Sequence, residues 1–231
     1  MEANNQRLFL RWTLNERIQH WLLAGSFITL VISGFALRYP DTWWAIPMVV
    51  GDSIDLRSIV HRIAATINTG VAVYHVGYLL FTSRGRFQLK HLILKPEDFR
   101  HLRDKMLQNL GVKTKPIVFS HYTYWEKFEY WALIWGTIVM LVTGVSLWFE
   151  NFALQYISLF YLDVGRVIHY YEAILASLSI LVWHFYFVIA NPETYPVNFS
   201  MFNGYLTQEE MEAEHDGELK DILEEEHNQS R

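Results

Sequence analysis

Four stretches of this chain carry no Asp, Glu, Lys or Arg over about the length of a bilayer crossing. They are Ile18–Leu37, Ile63–Ser83, Tyr130–Phe149 and Ala173–Pro192, of 20, 21, 20 and 20 residues. About 20 apolar residues span a hydrocarbon core as a helix, with every backbone group satisfied inside the segment. Helices on the surface of a water-soluble fold would carry a polar stripe instead. The sequence therefore predicts an all-α membrane protein, a four-transmembrane-helix bundle with helices at about 17–38, 58–83, 125–149 and 166–190. These would make one membrane domain over residues 1–195, followed by a tail over 196–231.

Loop charge sets the expected orientation. Arg7, Arg11 and Arg17 precede the first window, and nine Lys and Arg between Arg84 and Lys115 separate the second from the third. The opposite loops hold only Arg38, Arg57 and, at the end of the second, Arg166. Basic loops stay inside, which puts both termini and the second loop in the cytoplasm. The start of the chain lacks a basic stretch followed by a cleavable A-x-A site, so no removable signal is expected. Two shorter apolar pieces, Thr42–Val50 and Phe152–Leu162, are rich in aromatics and suit the outer interface. Beyond Pro192 the chain turns polar, and the acids between Glu209 and Glu226 read as a solvated helix or a disordered end.

The absence of cysteine excludes thiolate-ligated zinc, Cys-ligated iron–sulfur clusters and covalent c-type haem within this chain. Nothing in the charge pattern points to nucleic acid. What remains for chemistry is histidine. His20, His61, His75, His169 and His184 fall in or beside the four windows, and ionisable groups at membrane depth mark function by default. Alternating helix direction sorts them into two levels: His61 and His169 outside; His20, His75 and His184 inside. On helix 4 the two histidines are fifteen residues apart, roughly 22 Å along a helix axis. Two levels of imidazole suit two haem b groups in a bundle core, each held by axial histidines from facing helices. Ala64, Ala65, Gly70, Gly136, Gly144, Ala173, Ala176 and Ser177 would leave room for porphyrin. Arg38, Arg57, Arg62 and Arg166 outside, and Arg11, Arg17 or Arg84 inside, would neutralise propionates or simply anchor helices at the interface.

Around these histidines the sequence resembles a known family. Asn15-Glu-Arg-Ile-Gln-His20-Trp, Ser33-Gly34 and His61-Arg62, with the two histidines of helix 4, are similar to the signature of the cytochrome b (gamma) subunits of respiratory formate dehydrogenases. Those subunits are related to the b-type cytochromes of nickel–iron hydrogenases. The likeness covers all four helices. It implies a dihaem cytochrome of the bacterial inner membrane that passes electrons between a periplasmic redox subunit, iron–sulfur or multihaem, and menaquinone or ubiquinone. It further implies His61 and His169 as ligands of the outer haem, His20 and His184 as ligands of the inner one, and quinone beside the inner haem.

Two features stand apart from that pattern. The helix 4 spacing is one residue longer than usual in the family, and His75 is additional. Depth pairs His75 with His184, whereas the resemblance pairs His20 with it; His75 would then serve quinone or proton transfer. Glu126 and Glu129 lie in an aromatic segment, Tyr122–Trp131, that reads as an interfacial belt or as a proton route. The rival readings are a haem-free proton-coupled transporter using histidine relays, or a structural anchor for peripheral subunits. The transporter would usually show Pro- or Gly-broken helices, but no Pro interrupts these windows before Pro192.

Overall fold

A computed structural model describes residues 7–50, 54–192, 194–195 and 197–229. The first six residues, where the start of the chain was read for a signal, lie outside the described residues. The chain forms two compact units, Trp12–Gly85 and a second built from the N-terminal segment to Arg11 together with Arg86 onward.

In the Trp12–Gly85 unit, α1 (Leu14–Arg38) and α2 (Leu56–Phe81) form an antiparallel hairpin. Thr13 starts α1 with a capping box: its hydroxyl accepts from the Glu16 amide while Glu16 accepts from the Thr13 amide at 2.8 Å. The connection holds a 3₁₀ turn (Ile46–Met48) and a short ribbon of β2 (Val49–Val50) with β3 (Ile54–Asp55). Asp55 caps α2 and grips Arg57 at 2.8 Å, and that bond holds its carboxyl below the usual range against the opposing effect of burial. At the far end of α2 the chain folds back sharply into α3 (Ser83–Leu92). A Cβ on Gly85 would sit 2.0 Å from the Tyr78 carbonyl oxygen, so only glycine fits there.

The other unit holds a second hairpin. Its first arm, α5 (Tyr124–Trp148), opens with another capping box, Thr123 with Glu126. After α6 (Glu150–Ala153) the return arm α7 (Leu159–Leu178) continues as two π-helical stretches, Ser179–His184 and Tyr186–Ala190. Among the described residues, α1, α2, α5 and α7 with its π continuation are four helices long and apolar enough to cross a membrane. Their large apolar side chains are mostly exposed, as lipid-facing surfaces require. The return arm starts seven residues before the expected 166, because Leu159–Leu162 forms its first turn rather than an interfacial piece.

Around this hairpin lies a compact cap. α4 (Pro96–Asn109) anchors to α5 through a buried ion pair, Lys127 Nζ to Asp98 Oδ1 at 2.9 Å, and Trp131 of α5 donates its indole N–H to the carbonyl of Leu92, the last residue of α3. The acidic tail is folded onto the same unit and is neither solvated throughout nor disordered. It runs through α8 (Ser200–Asn203), β4 (Tyr205–Thr207), α9 (Gln208–Glu214) and α10 (Asp216–Gln229). β4 pairs antiparallel with β1 (Leu8–Leu10), Phe9 opposite Leu206. Phe9, Leu206, Met211 and Leu219 make a small buried core, with Ile222 against it. The apolar residues are spaced through the acidic run so that one side is buried; most of the acids face outward, while Glu214 and Glu218 turn inward.

Candidate haem-ligating histidines

His61 and His169 are held by the same device in the two hairpins. His61 Nδ1 lies 3.0 Å from the Ser33 hydroxyl of α1, and His169 Nδ1 lies 2.8 Å from the Thr143 hydroxyl of α5. Each hydroxyl proton is already committed to its own helix: Ser33 donates to the Thr29 carbonyl at 2.6 Å and Thr143 to the Val139 carbonyl at 2.7 Å. Each oxygen therefore accepts, and each histidine carries its proton on Nδ1. The next residue is glycine in both cases. A Cβ on Gly34 would stand 3.3 Å from His61 Cε1, and one on Gly144 would stand 3.2 Å from His169 Cε1, so the missing side chains make room for the rings.

The histidines at the other ends follow the same rule with different acceptors. His75 Nδ1 meets the Gln19 amide oxygen at 2.8 Å. His184 Nδ1 meets a Glu129 carboxylate oxygen at 2.6 Å. Both partners accept, so these rings too donate from Nδ1. His20 sits half-buried on α1 with its ring edge-on to Trp21 at 5.1 Å.

Behind this lies a repeat between the two hairpins. Adding 110 carries Thr13, Glu16, Gln19, Trp21, Ser33 and Gly34 of the first arm onto Thr123, Glu126, Glu129, Trp131, Thr143 and Gly144 of the third. On the return arms the offset is 108 for His61 and His169 but 109 for His75 and His184. The extra residue is where the helix widens: the first π stretch ends at His184 itself. π-segments accommodate single insertions within a helix. The unusual fifteen-residue spacing is thus taken up locally. The repeat keeps the capping, acceptor and glycine positions together with a few apolar ones, such as Trp21 with Trp131 and Ile28 with Ile138.

Several arginines are engaged by carboxylates of their own unit: Arg57 by Asp55, Arg84 by Glu16 at 3.4 Å and Arg166 by Glu150 and Asp163. Arg11 is buried at the centre of the cap. Its guanidinium reaches Glu126 at 3.2 Å, Glu218 at 3.4 Å and His121, and lies over the Tyr122 ring. Glu218 also bonds His121, and Gln88 accepts from Tyr122 at 2.6 Å. His215, packed beside them, bonds the Ser120 carbonyl. Burial and the Arg11 charge push His215 down to about 4, and burial likewise lowers His121 although Glu218 pulls it upward. Glu218 is held low as well: burial raises it, but the His121 bond and the nearby cationic groups outweigh that. The structural part of His121 and His215 depends on partners about a hundred residues away, which no local sequence pattern signals.

A histidine that binds metal usually donates its other ring N–H to a fixed acceptor, which sets the tautomer and the ring's orientation. His61, His75, His169 and His184 each have that arrangement, with ligation falling to Nε2. The residues present therefore fit b-type haem.

Comparison with known proteins agrees. A family model described as prokaryotic cytochrome b561 matches residues 11–204. The chain is 25% identical over 177 residues to the formate dehydrogenase cytochrome b556(fdo) subunit of Escherichia coli K12, covering 77% of each. It is 25% identical over 186 residues to the formate dehydrogenase cytochrome b556 subunit of Haemophilus influenzae, covering 80% of this chain and 73% of the relative. The nitrate-inducible cytochrome b556(Fdn) subunit of Escherichia coli K12 is 24% identical over 183 residues, covering 79% and 78%. With its four membrane-crossing helices and a match that begins at the Arg11 node and runs through the cap's Gly204, the chain belongs to the prokaryotic cytochrome b561 family.

Proposed function

We propose that this chain is the dihaem cytochrome b subunit of a respiratory complex in the bacterial inner membrane. It passes electrons between a periplasmic redox subunit, carrying iron–sulfur clusters or several haems, and menaquinone or ubiquinone. The observation that carries the reading is the set of four membrane-depth histidines with Nδ1 bonded to a built-in acceptor on the preceding helix. The named relatives are formate dehydrogenase subunits, which favours a dehydrogenase as the partner. This chain offers no substrate chemistry of its own, and is a subunit rather than a free-standing enzyme.

Bound haem supplies one-electron chemistry; the chain supplies ligands, burial and spacing. In this reading His61 and His169 hold the outer haem. His184 holds the inner haem with His20, on the family likeness. Basic loops keep both termini in the cytoplasm, with quinone reacting on that side. One observation favours a second ligand set: His75 has its Nδ1 fixed as a ligand's would be, by the Gln19 oxygen at 2.8 Å, at the repeat position matching His184.

A pyridine haemochrome assay on the purified chain tests the function directly, with two haems per chain expected. A folded preparation without a Soret band would overturn it and favour the transporter or anchor. His20→Ala is expected to lose one haem and His75→Ala to keep both. The opposite pattern makes His75 the ligand.

A further inference from the structure

Of the four histidine–acceptor pairs, three are neutral and one is charged. Ser33 and Thr143 offer hydroxyls and Gln19 offers an amide, but Glu129 offers a carboxylate to His184 at 2.6 Å. We propose that Glu129 is a positioning residue that sets the reduction potential of the haem held by His184, making it more negative than a neutral acceptor would. The proposal rests on the haem reading above.

A carboxylate accepting the Nδ1–H of a ligating imidazole draws that proton toward itself. The ring gains imidazolate character and becomes a stronger donor to iron. Stronger donation favours the ferric over the ferrous state, since hydrogen bonding around axial ligands is one of the protein's means of setting potential. The side chains of the pair are only 30% and 25% exposed, so the bond acts largely away from bulk water. Bound haem would supply a one-electron couple exchanged with the redox subunit or quinone of the proposed function, while Glu129 and His184 would keep the shared proton between them throughout.

Two further observations tie Glu129 to this task. It stands where the repeat has Gln19, so the same site in the other hairpin holds an isosteric, uncharged acceptor. It also meets a histidine carried at the end of a π stretch, where the widened turn keeps the ring in line with α5 despite the added residue. An interfacial belt asks for neither feature.

The test is an equilibrium redox titration of the haem-loaded chain, comparing wild type, E129Q and E129D, with the haem lost in His184→Ala identifying the relevant absorbance and low-spin EPR signals. In E129Q two haems are expected, with the His184 midpoint shifted to more positive potential, its ferric g values changed, and the His169 haem unmoved. E129D keeps the charge on a shorter arm; a positive shift there as well shows that the bond carries the effect. An unmoved His184 midpoint in E129Q, or an equal shift of both haems, overturns the proposal. If E129Q does not assemble, E129D decides alone, and a wild-type midpoint there overturns it. A wild-type chain without haem defeats the functional reading instead, so the two failures are distinguishable.

Discussion

Ser33 and Thr143 show how one hydroxyl can settle a histidine's protonation. By spending its proton on a carbonyl one turn back, each leaves only an acceptor for the ring. Thr143→Val removes that acceptor in nearly the same volume, and losing the partner that orients a ligating histidine typically costs about 10- to 100-fold in metal-site affinity. The expected outcome is reduced occupancy of the His169 haem with the His184 haem retained, read by haem content and EPR. A different single-residue effect belongs to Lys127 and Asp98, whose side chains are 3% and 4% exposed. Lys127→Met leaves a buried carboxylate uncompensated, a loss of about 3–5 kcal/mol. Thermal unfolding should show a marked drop in K127M and a partial recovery in K127M/D98L. At this scale the histidines were legible because charge is so scarce in the windows. Their acceptors were not, since Ser, Thr, Gln and Glu are unremarkable in sequence until a ring is placed against them. Glu172 is a further example: it lies three residues beyond His169, and a Cβ on Gly136 would stand 2.8 Å from its Oε1. A stripe of small residues reads as room for a cofactor, but here one of them makes room for a carboxylate.

Among the elements, the four long helices were readable because hydrocarbon thickness fixes their length, whatever else the chain does. The π stretch was not, because fifteen residues between histidines look alike in sequence whether the helix is regular or widened. The widening makes a specific forecast. Deleting Ile180, within the π stretch Ser179–His184, should convert it to ordinary α-helix and return the histidine spacing to fourteen, with both haems retained. A deletion that abolished the His184 haem would show that the wide turn does more than absorb a residue. The tail was misread for another reason. Counting its acids hides Leu206, Met211 and Leu219, which are 1%, 2% and 4% exposed, while the β-pairing that seats them joins residues almost two hundred positions apart.

For the molecule as a whole, the docked cap should respond to acid. His121 and His215 have native pKa values below their unfolded ones, so their contribution to docking is present above about 6.5. It is lost as pH falls toward about 4 for His215, when protonation would place a cation beside Arg11 in a buried site. Glu218 is also depressed, and its contribution likewise disappears on acidification. The facing groups Arg11, Glu126 and His91 do not reverse that sign. For His215 alone the lost stability is on the order of 3 kcal/mol. Protection factors across Tyr205–Gln229, with each exchange rate corrected for the intrinsic rate at its own pH, should fall between pH 7 and pH 5 while those of α5 and α7 hold. Equal protection at both pH values would mean that the cap is held by its apolar core alone.

The order of the hydrogen-bonded pairs along the chain has a consequence for synthesis. Every acceptor precedes its histidine, by 28, 56, 26 and 55 residues. A nascent chain entering the membrane from its N-terminus therefore has Ser33 and Gln19 in place before His61 and His75 emerge, and Thr143 and Glu129 before His169 and His184. Each imidazole can be oriented as its own hairpin closes, with nothing still to be made required for the purpose. Haem would then arrive late, at rings already turned to receive it, and a nascent chain stalled once Ala190 has cleared the ribosome should display a second hairpin with its histidines set.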